Sequence, residues 1–340
     1  MISILHRLSR SITHLLVFSL MALLGCSDSA DERPQFAFVT NGVASFWNIA
    51  AAGSKAAAKE AGVAVTVVMP DGLTDQTRKL EDLITRGIDG IAVSPINSAN
   101  QTDILNKAAE ATILITQDSD APESNRLAYI GMDNYAAGLM CGRLVREALP
   151  EGGEVMLFIG RLDQDNAQLR RQGCIDAIVG REPDSTRRDP PGASVLSEDG
   201  KYNILGTLTD RFDRAKAKAN VEDAITRYPN ISAMVGLFVY NPPAILEALE
   251  RTDMLGKVQV IGFDEDESTL QAIQDGNAIG TVVQDPYKYG YESIRLLVGL
   301  NSGEESNLPA DRFVDVPPRT IKKENLETFW KNMKQLLEDK

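Results

Sequence analysis

The chain has 340 residues, 43% hydrophobic and 24% charged, an ordinary globular composition at a length suited to about two domains. Its 48 acidic residues outnumber 35 basic ones, a net charge of −13 that repels phosphate backbones and argues against nucleic-acid binding. Both histidines, His6 and His14, stand near the start of the chain.

Residues 1–25 differ from all that follows. "MISILHRLSRSITH" carries Arg7 and Arg10 and no acid, and the apolar run "LLVFSLMALLG" leads to Cys26. That run is short for a bilayer span, and its flanks fit a secretory signal peptide. "LLGC" at 23–26 is similar to a bacterial lipobox, so Cys26 is expected to become the lipidated first residue and anchor the protein to a membrane. A plain signal with an incidental cysteine is the alternative. Removal of the signal takes both histidines with it, which excludes Ser-His-Asp and Cys-His catalysis and a histidine-held zinc. A polar, acidic tether follows over 26–33.

From there apolar runs alternate with helix-like segments. The runs are "FAFVTN" (36–41), "VAVTVVMPD" (63–71), "GIAVSPIN" (90–97), "ILITQDSD" (113–120), "EVMLFIG" (154–160), "ILGTLTD" (204–210), "ISAMVGLFVYN" (231–241), "VQVIGFDED" (258–266) and "AIGTVVQDP" (278–286). Between them, apolar residues three and four apart predict helices that stop at Gly or Pro. A final amphipathic helix is expected over 321–340. Strand–helix alternation argues for parallel sheets covered on both faces, and nine or more strands favour two α/β lobes over one sheet.

In such sheets ligands sit beyond the carboxyl ends of the strands. The residues there are amides, a hydroxyl and carboxylates: Thr40, Asn41, Asp118, Asn241, Asp264 and Gln284. Neither GxGxxG nor GxxxxGK[ST] occurs, so no nucleotide cofactor is expected. "DQDNAQ" (163–168) lacks the third oxygen ligand and turn glycine of a calcium loop, and no metal site is expected. Cys141 and Cys174 lie in largely nonpolar surroundings, either as small core residues or as a disulfide.

The segments "FVTNGVASFWNIAAAGSKAAAKEAG", "GIDGIAVSPIN", "ILITQDSD", "YIGMDNYAAG", "NAQLRRQG", "VIGFDED" and "TVVQDPYKYGYES" occur in the order and spacing of periplasmic sugar-binding proteins of the ribose/galactose type. The chain resembles that family over about residues 35–318. The same fold serves as the effector domain of LacI-type repressors, but a secretion signal stands here where those carry a helix-turn-helix. The resemblance implies a type I periplasmic binding protein fold: two doubly wound parallel-sheet lobes joined by a three-crossing hinge. The N-terminal lobe would be 34–132 plus 285–310, and the C-terminal lobe 133–284 plus 311–320. The crossings would fall near Met132, Gln284 and Pro309.

The resemblance also implies a ligand site. Phe46 and Trp47 stand where the family places rings that cover the apolar faces of a sugar; by themselves they read more often as core. Asp118 matches the carboxylate after the fourth strand, able to accept from two neighbouring hydroxyls, though "DSD" is also a turn signal. Arg170 of "NAQLRRQG" matches the family's arginine, a planar fork of donors, with Arg171 as its solvated neighbour. Asn241 supplies a donor and an acceptor, or else a turn before Pro-Pro. Asp264 is the acid of "GFD", with a helix N-cap as its other reading. Gln284 ends the last strand at a crossing, and Phe212 matches a second-lobe ring position. Asp133 and Asn134 read as a helix cap.

Ser119 and Ala44 stand where ribose binders carry an arginine and an asparagine, which points to another pentose, a hexose or a small polyol. The expected protein is a monomeric, lipid-anchored receptor on the periplasmic side of a bacterial envelope. It would deliver a small neutral sugar to the permease subunits of an ABC importer. Presentation of the closed form to a membrane receptor or kinase is the alternative. A glycosidase using Asp118 and Asp264 is the remaining enzymatic class.

Overall fold

The computed structural model describes residues 33–162, 164–304 and 308–338; the expected signal, Cys26 and nearly all of the tether lie outside them. The first sheet contains β1 (Gln35–Val39), β2 (Ala64–Val68), β3 (Gly90–Val93), β4 (Ile113–Gln117), β5 (Tyr129–Gly131) and β12 (Phe313–Asp315), in the order β12-β5-β4-β3-β1-β2. The second contains β6 (Gly153–Ile159), β7 (Val195–Leu196), β8 (Tyr202–Thr209), β9 (Ile231–Gly236), β10 (Gln259–Phe263), β11 (Gly280–Val283) and β13 (Arg319–Ile321), in the order β13-β11-β10-β9-β6-β8-β7. All pairings in the first sheet are parallel. In the second, only the edge strands β7 and β13 run antiparallel.

Alternate residues of each strand enter different cores, as a period of two requires. Phe36 and Phe38 of β1 join one apolar cluster while Ala37 and Val39 join another. In β6, Met156 and Phe158 face one cluster while Val155, Leu157 and Ile159 face the opposite one. Each sheet is therefore buried on both faces, which explains why its central strands read as unbroken apolar runs.

Around the first sheet lie α1 (Ser45–Ala61), α2 (Leu73–Thr85), α3 (Ser98–Ala111) and α9 (Pro286–Asn301). Around the second lie α4 (Asn134–Ala148), α5 (Asp165–Val179), α6 (Arg214–Arg227), α7 (Asn241–Arg251) and α8 (Glu267–Asp275). Aspartates start several of them: Asp133, Asp213, Asp266 and Asp285 each accept a backbone N–H of the first turn. The acidic knot after β10 thus divides its work, with Asp266 and not Asp264 capping α8. Close helix contact depends on glycine in α4 and α5. A Cβ on Gly138 would lie 2.1 Å from the Arg170 carbonyl oxygen, and one on Gly173 2.1 Å from that of Tyr135.

The chain passes between the sheets three times: through Met132 after β5, through Gln284 after β11, and between β12 and β13. The last passage differs from the expected one. Residues 311–320 do not all belong with the second sheet, because Phe313–Asp315 pairs in parallel with Tyr129–Gly131 at the edge of the first. The turn from one sheet to the other falls at 316–318, not near Pro309. Stacking of Phe313 on Tyr129, centroids 5.4 Å apart, accompanies that pairing. The last helix, α10 (Lys323–Glu338), packs against α1 on one side and α8 and β13 on the other. No helix among the described residues is long and apolar enough to cross a membrane.

Two side chains differ from expectation in their surroundings. Arg171 is not solvated: it is 4% exposed and donates to Thr207 Oγ1 and to the carbonyls of Asp189 and Pro190. Cys141 and Cys174 are both free and buried. Burial in an apolar interior pushes the Cys141 thiol up to about 12.

Candidate functional site

Three strand tips of the first sheet converge on one carboxylate. Asp118, after β4, accepts from Ser94 Oγ at 2.9 Å, beyond β3, and from Asn41 Nδ2 at 3.3 Å, beyond β1. Asn41 Oδ1 in turn accepts from Trp47 Nε1 at 3.1 Å, linking the indole to the acid. Behind this layer the buried Gln76 of α2 donates to the carbonyls of Thr40 and Ser94, fixing the tips of β1 and β3. All the bonds to the Asp118 carboxylate fall on Oδ2, Ser119 Oγ included, so Oδ1 keeps its acceptor capacity among the described residues.

The second sheet has a matching arrangement after β10. Asp264 Oδ1 accepts from Gln284 Nε2 at 2.9 Å, and Gln284 Oε1 accepts from Tyr289 Oη at 3.1 Å. Tyr289 lies on α9, which packs against α1 beside the first sheet. The hinge glutamine therefore ties the second sheet's carboxylate to the first sheet's side of the molecule. Oδ2 of Asp264 has no hydrogen-bond partner among the described residues.

Arg170 is the positive charge felt by both acids. It is buried, with its guanidinium 3.6 Å from the Phe263 ring centroid. Nε and Nη2 donate to Asn134 Oδ1 at 3.3 and 3.0 Å, and Nη1 donates to the Leu237 carbonyl at 2.8 Å. A guanidinium has five N–H donors, so this arrangement leaves capacity for further acceptors. Burial lowers its pKa, while Asp264 most of all, and Asp118 less, raise it again. Burial likewise pushes the Asp118 carboxyl up to about 6, against the pull of the Ser94 hydroxyl and with a further push from the Asp264 charge. Asp264 is raised by the same cause, opposed by the Arg170 charge and the Gln284 amide.

The expected rings take different places. Trp47 is 4% exposed and belongs to the first sheet's core, with Phe46 edge-on to it at 4.8 Å and only half-buried. Phe212 is 48% exposed and stacks on Phe238 at 5.7 Å. Phe238 itself lies 5.4 Å from the Arg170 guanidinium. Asn241 is turned inward: its Oδ1 accepts from Phe238 N, and its Nδ2 donates to the buried Asp210. Asp210 also accepts from Tyr240 Oη and Phe212 N, so one carboxylate organises this whole rim.

Asp118, Arg170, Asp264 and Gln284 thus come together, with Trp47 attached through Asn41, while Phe212 and Asn241 belong to a flanking rim. Sequence reasoning gave no site role to Ser94, Asn134, Asp210, Phe238 or Tyr289. Ser94 and Asp210 carry the usable signal, a polar residue directly beyond a strand's apolar residues. A cavity of about 750 Å³ adjoins the site, with Asp118, Ser119, Tyr129, Asn134, Leu169 and Phe313 on its walls. Among the described residues no group of three metal-ligating side chains is gathered.

Residues 36–305 match the family model of the periplasmic binding protein domain. The chain is 25% identical to the ribose import binding protein RbsB of Salmonella typhimurium over 237 residues, covering 68% of this chain and 73% of that protein. It is 22% identical to a D-ribose/D-allose-binding protein of Pseudomonas aeruginosa over 318 residues, covering 89% and 93%. Among solved structures it is similar to GanP, a glucose-galactose binding protein from Geobacillus stearothermophilus, with a TM-score of 0.75, 25% identity, and coverage of 87% of this chain and 99% of that one. It is also similar to an ABC transporter solute-binding protein from Burkholderia graminis in complex with D-arabinose, with a TM-score of 0.74, 26% identity, and coverage of 88% and 98%. With a family model spanning most of its length and both sheets in the matching arrangement, the chain belongs to the periplasmic binding protein family.

Proposed function

We propose that this protein is the solute receptor of an ABC importer and binds a neutral monosaccharide or similar polyol between its two lobes. The observation that carries this reading is the set Asp118, Arg170 and Asp264. Two half-buried acids, each with one oxygen tied down and one uncommitted, act on a buried guanidinium with unused donors. Vicinal hydroxyls both donate and accept, and fixed acceptors beside fixed donors suit them. Half-buried Phe46 supplies an apolar face for the C–H side of a ring. Membership of a family of binding proteins supports reading the protein as a receptor and not as the glycosidase that a pair of carboxylates would by itself allow.

The first lobe comprises 34–132 plus 285–316, and the second 133–284 plus 317–321, with α10 laid across both. A ligand that touches Asp118 and Asp264 together is fully bound only when the lobes approach, so it shifts the population toward closure. The closed form is what separate permease subunits would recognise. Residues 1–25 act as the secretion signal, and lipidation of Cys26 holds the monomer at the periplasmic side of the membrane.

A thermal-shift screen of the purified protein against common pentoses, hexoses and polyols tests this reading. A ligand that binds only the folded state raises the melting temperature. At least one neutral sugar should do so, with calorimetry confirming one site per chain. No response to any sugar or polyol contradicts it.

A further inference from the structure

The cavity beside Asp118 is larger than one sugar ring requires. Its volume of about 750 Å³ lies well within the range of pockets that enclose whole drug-sized ligands, roughly 300–1,000 Å³. It is also built and not merely open. Tyr129 and Phe313 sit opposite each other in paired strands, and their rings stack at 5.4 Å and 15° to make a platform on one wall. A platform carried on strands holds its place better than one carried on a loop. Tyr129 Oη donates to the Asp118 carbonyl, so the platform is joined to the residue that begins the sugar site. Leu169 and Gln164 face it from the second lobe, and Asp133 and Asn134 close the hinge side.

The charges on these walls restrict the occupant. Five carboxylates, those of Asp118, Asp120, Glu123, Asp133 and Asp165, accompany the guanidiniums of Arg126 and Arg161. Arg126 is already fastened to Asp120 through Nε and Nη2 at 2.5 and 2.6 Å. A sugar phosphate or uronic acid would meet repulsion here, whereas a neutral ring would find acceptors for its hydroxyls and a flat apolar face for its C–H side.

We propose that this cavity is a second carbohydrate subsite, so that the receptor takes a neutral disaccharide or glycoside. The first ring occupies the Asp118–Arg170–Asp264 site and the second lies on the Phe313 face. The inference rests on the sugar-receptor reading above and extends it. Because the cavity has walls from both lobes, the second ring adds to the contacts that favour closure.

The test is calorimetry of the purified protein with monosaccharides and their disaccharides in parallel: glucose with maltose and cellobiose, galactose with lactose and melibiose, arabinose with arabinobiose. At least one disaccharide should bind about tenfold or more tightly than its component sugars, the size of effect a ring-stacking subsite supplies. Phe313→Ala should remove that advantage and leave the monosaccharide affinity in place. Leu169→Trp, which fills the cavity from the opposite lobe, should do the same and decides the matter where Phe313→Ala does not fold. Monosaccharides bound as tightly as every disaccharide, or variants that weaken both alike, overturn the second subsite while leaving the first reading intact. Binding of no sugar at all overturns the receptor reading itself, and the subsite with it.

Discussion

Asp118 and Asp264 are structural equivalents in two sheets of the same winding. Each follows the third strand from one edge of its sheet, β4 or β10, and each has a left-handed backbone, with φ of 59° and 64°. Each backbone N–H donates to the adjacent strand, Asp118 to the Ile130 carbonyl and Asp264 to that of Val282. Each carbonyl accepts from a hydroxyl one strand over, Tyr129 Oη or Thr281 Oγ1. A non-glycine residue pays roughly 1 kcal/mol or more for that conformation, so the same strained acid at two equivalent tips points to a purpose beyond folding.

Removing either charge while keeping its shape tests that purpose. Asp118→Asn and Asp264→Asn should each weaken sugar binding by about 1.5–3 kcal/mol, the worth of a hydrogen bond to a charged group. Calorimetry with the sugar selected by the thermal-shift screen measures it, alongside circular dichroism to establish that each variant is folded. Undiminished affinity in both removes these residues from the site.

The acids should also make binding depend on pH. Burial raises the Asp118 carboxyl from its ordinary 3.8 to about 6, so the folded protein holds this proton more tightly than the unfolded chain does. The stability it contributes without ligand is therefore fully present below about pH 3.8 and is lost as pH rises through about 6. Sugar hydroxyls need the ionised form, which gives the opposite trend for binding. Affinity should hold near neutral pH and fall by about a factor of ten per unit below pH 6. Calorimetry across that range, with Asp118→Asn as the comparison, should show a shallower fall in the variant. Identical profiles in the two proteins contradict the assignment.

Phe46 and Trp47 separate binding from folding. Trp47 is a core residue whose indole N–H is spent on Asn41, so Trp47→Ala should destabilise the protein by about 3–5 kcal/mol. Phe46→Ala should cost less stability and show its effect in sugar affinity. Urea unfolding and calorimetry on both variants distinguish the two roles. A larger stability loss for Phe46→Ala would reverse them.

How far the sequence reached can be seen in particular residues. Each of the nine apolar runs contains a strand, because a parallel strand buried on both faces has to be apolar along its length. Strands β5, β7, β12 and β13, two or three residues each, left no such run, and β12 in particular moved the last crossing. The strand-tip positions of Asp118, Asp264 and Gln284 could be read because they follow directly from the ends of the runs. The state of Asn241 could not: its partner Asp210 lies 31 positions away, and only tertiary contact commits the amide inward. Arg171 was misread for the same reason, since its acceptors Thr207, Asp189 and Pro190 are distant in sequence.

Asp210 gives a further test of that hidden contact. Its carboxylate holds Asn241, Tyr240 and the Phe212 backbone, so Asp210→Ala leaves buried donors unsatisfied at a cost of about 1–3 kcal/mol. Phe212→Ala removes an exposed ring and should cost much less. Thermal melting of the two variants should rank them in that order, and Asp210→Ala should also weaken sugar binding by loosening Phe238 beside Arg170. Equal melting temperatures for wild type and Asp210→Ala contradict the role given to Asp210.

The most direct measurement is a crystal structure of the protein with the best sugar from the thermal-shift screen bound. Hydroxyls of one ring should lie within hydrogen-bonding distance of both the Asp118 and Asp264 carboxylates, with Arg170 donating between them and both lobes in contact with the ligand. A sugar seated against one lobe alone, or clear of both acids, contradicts the site.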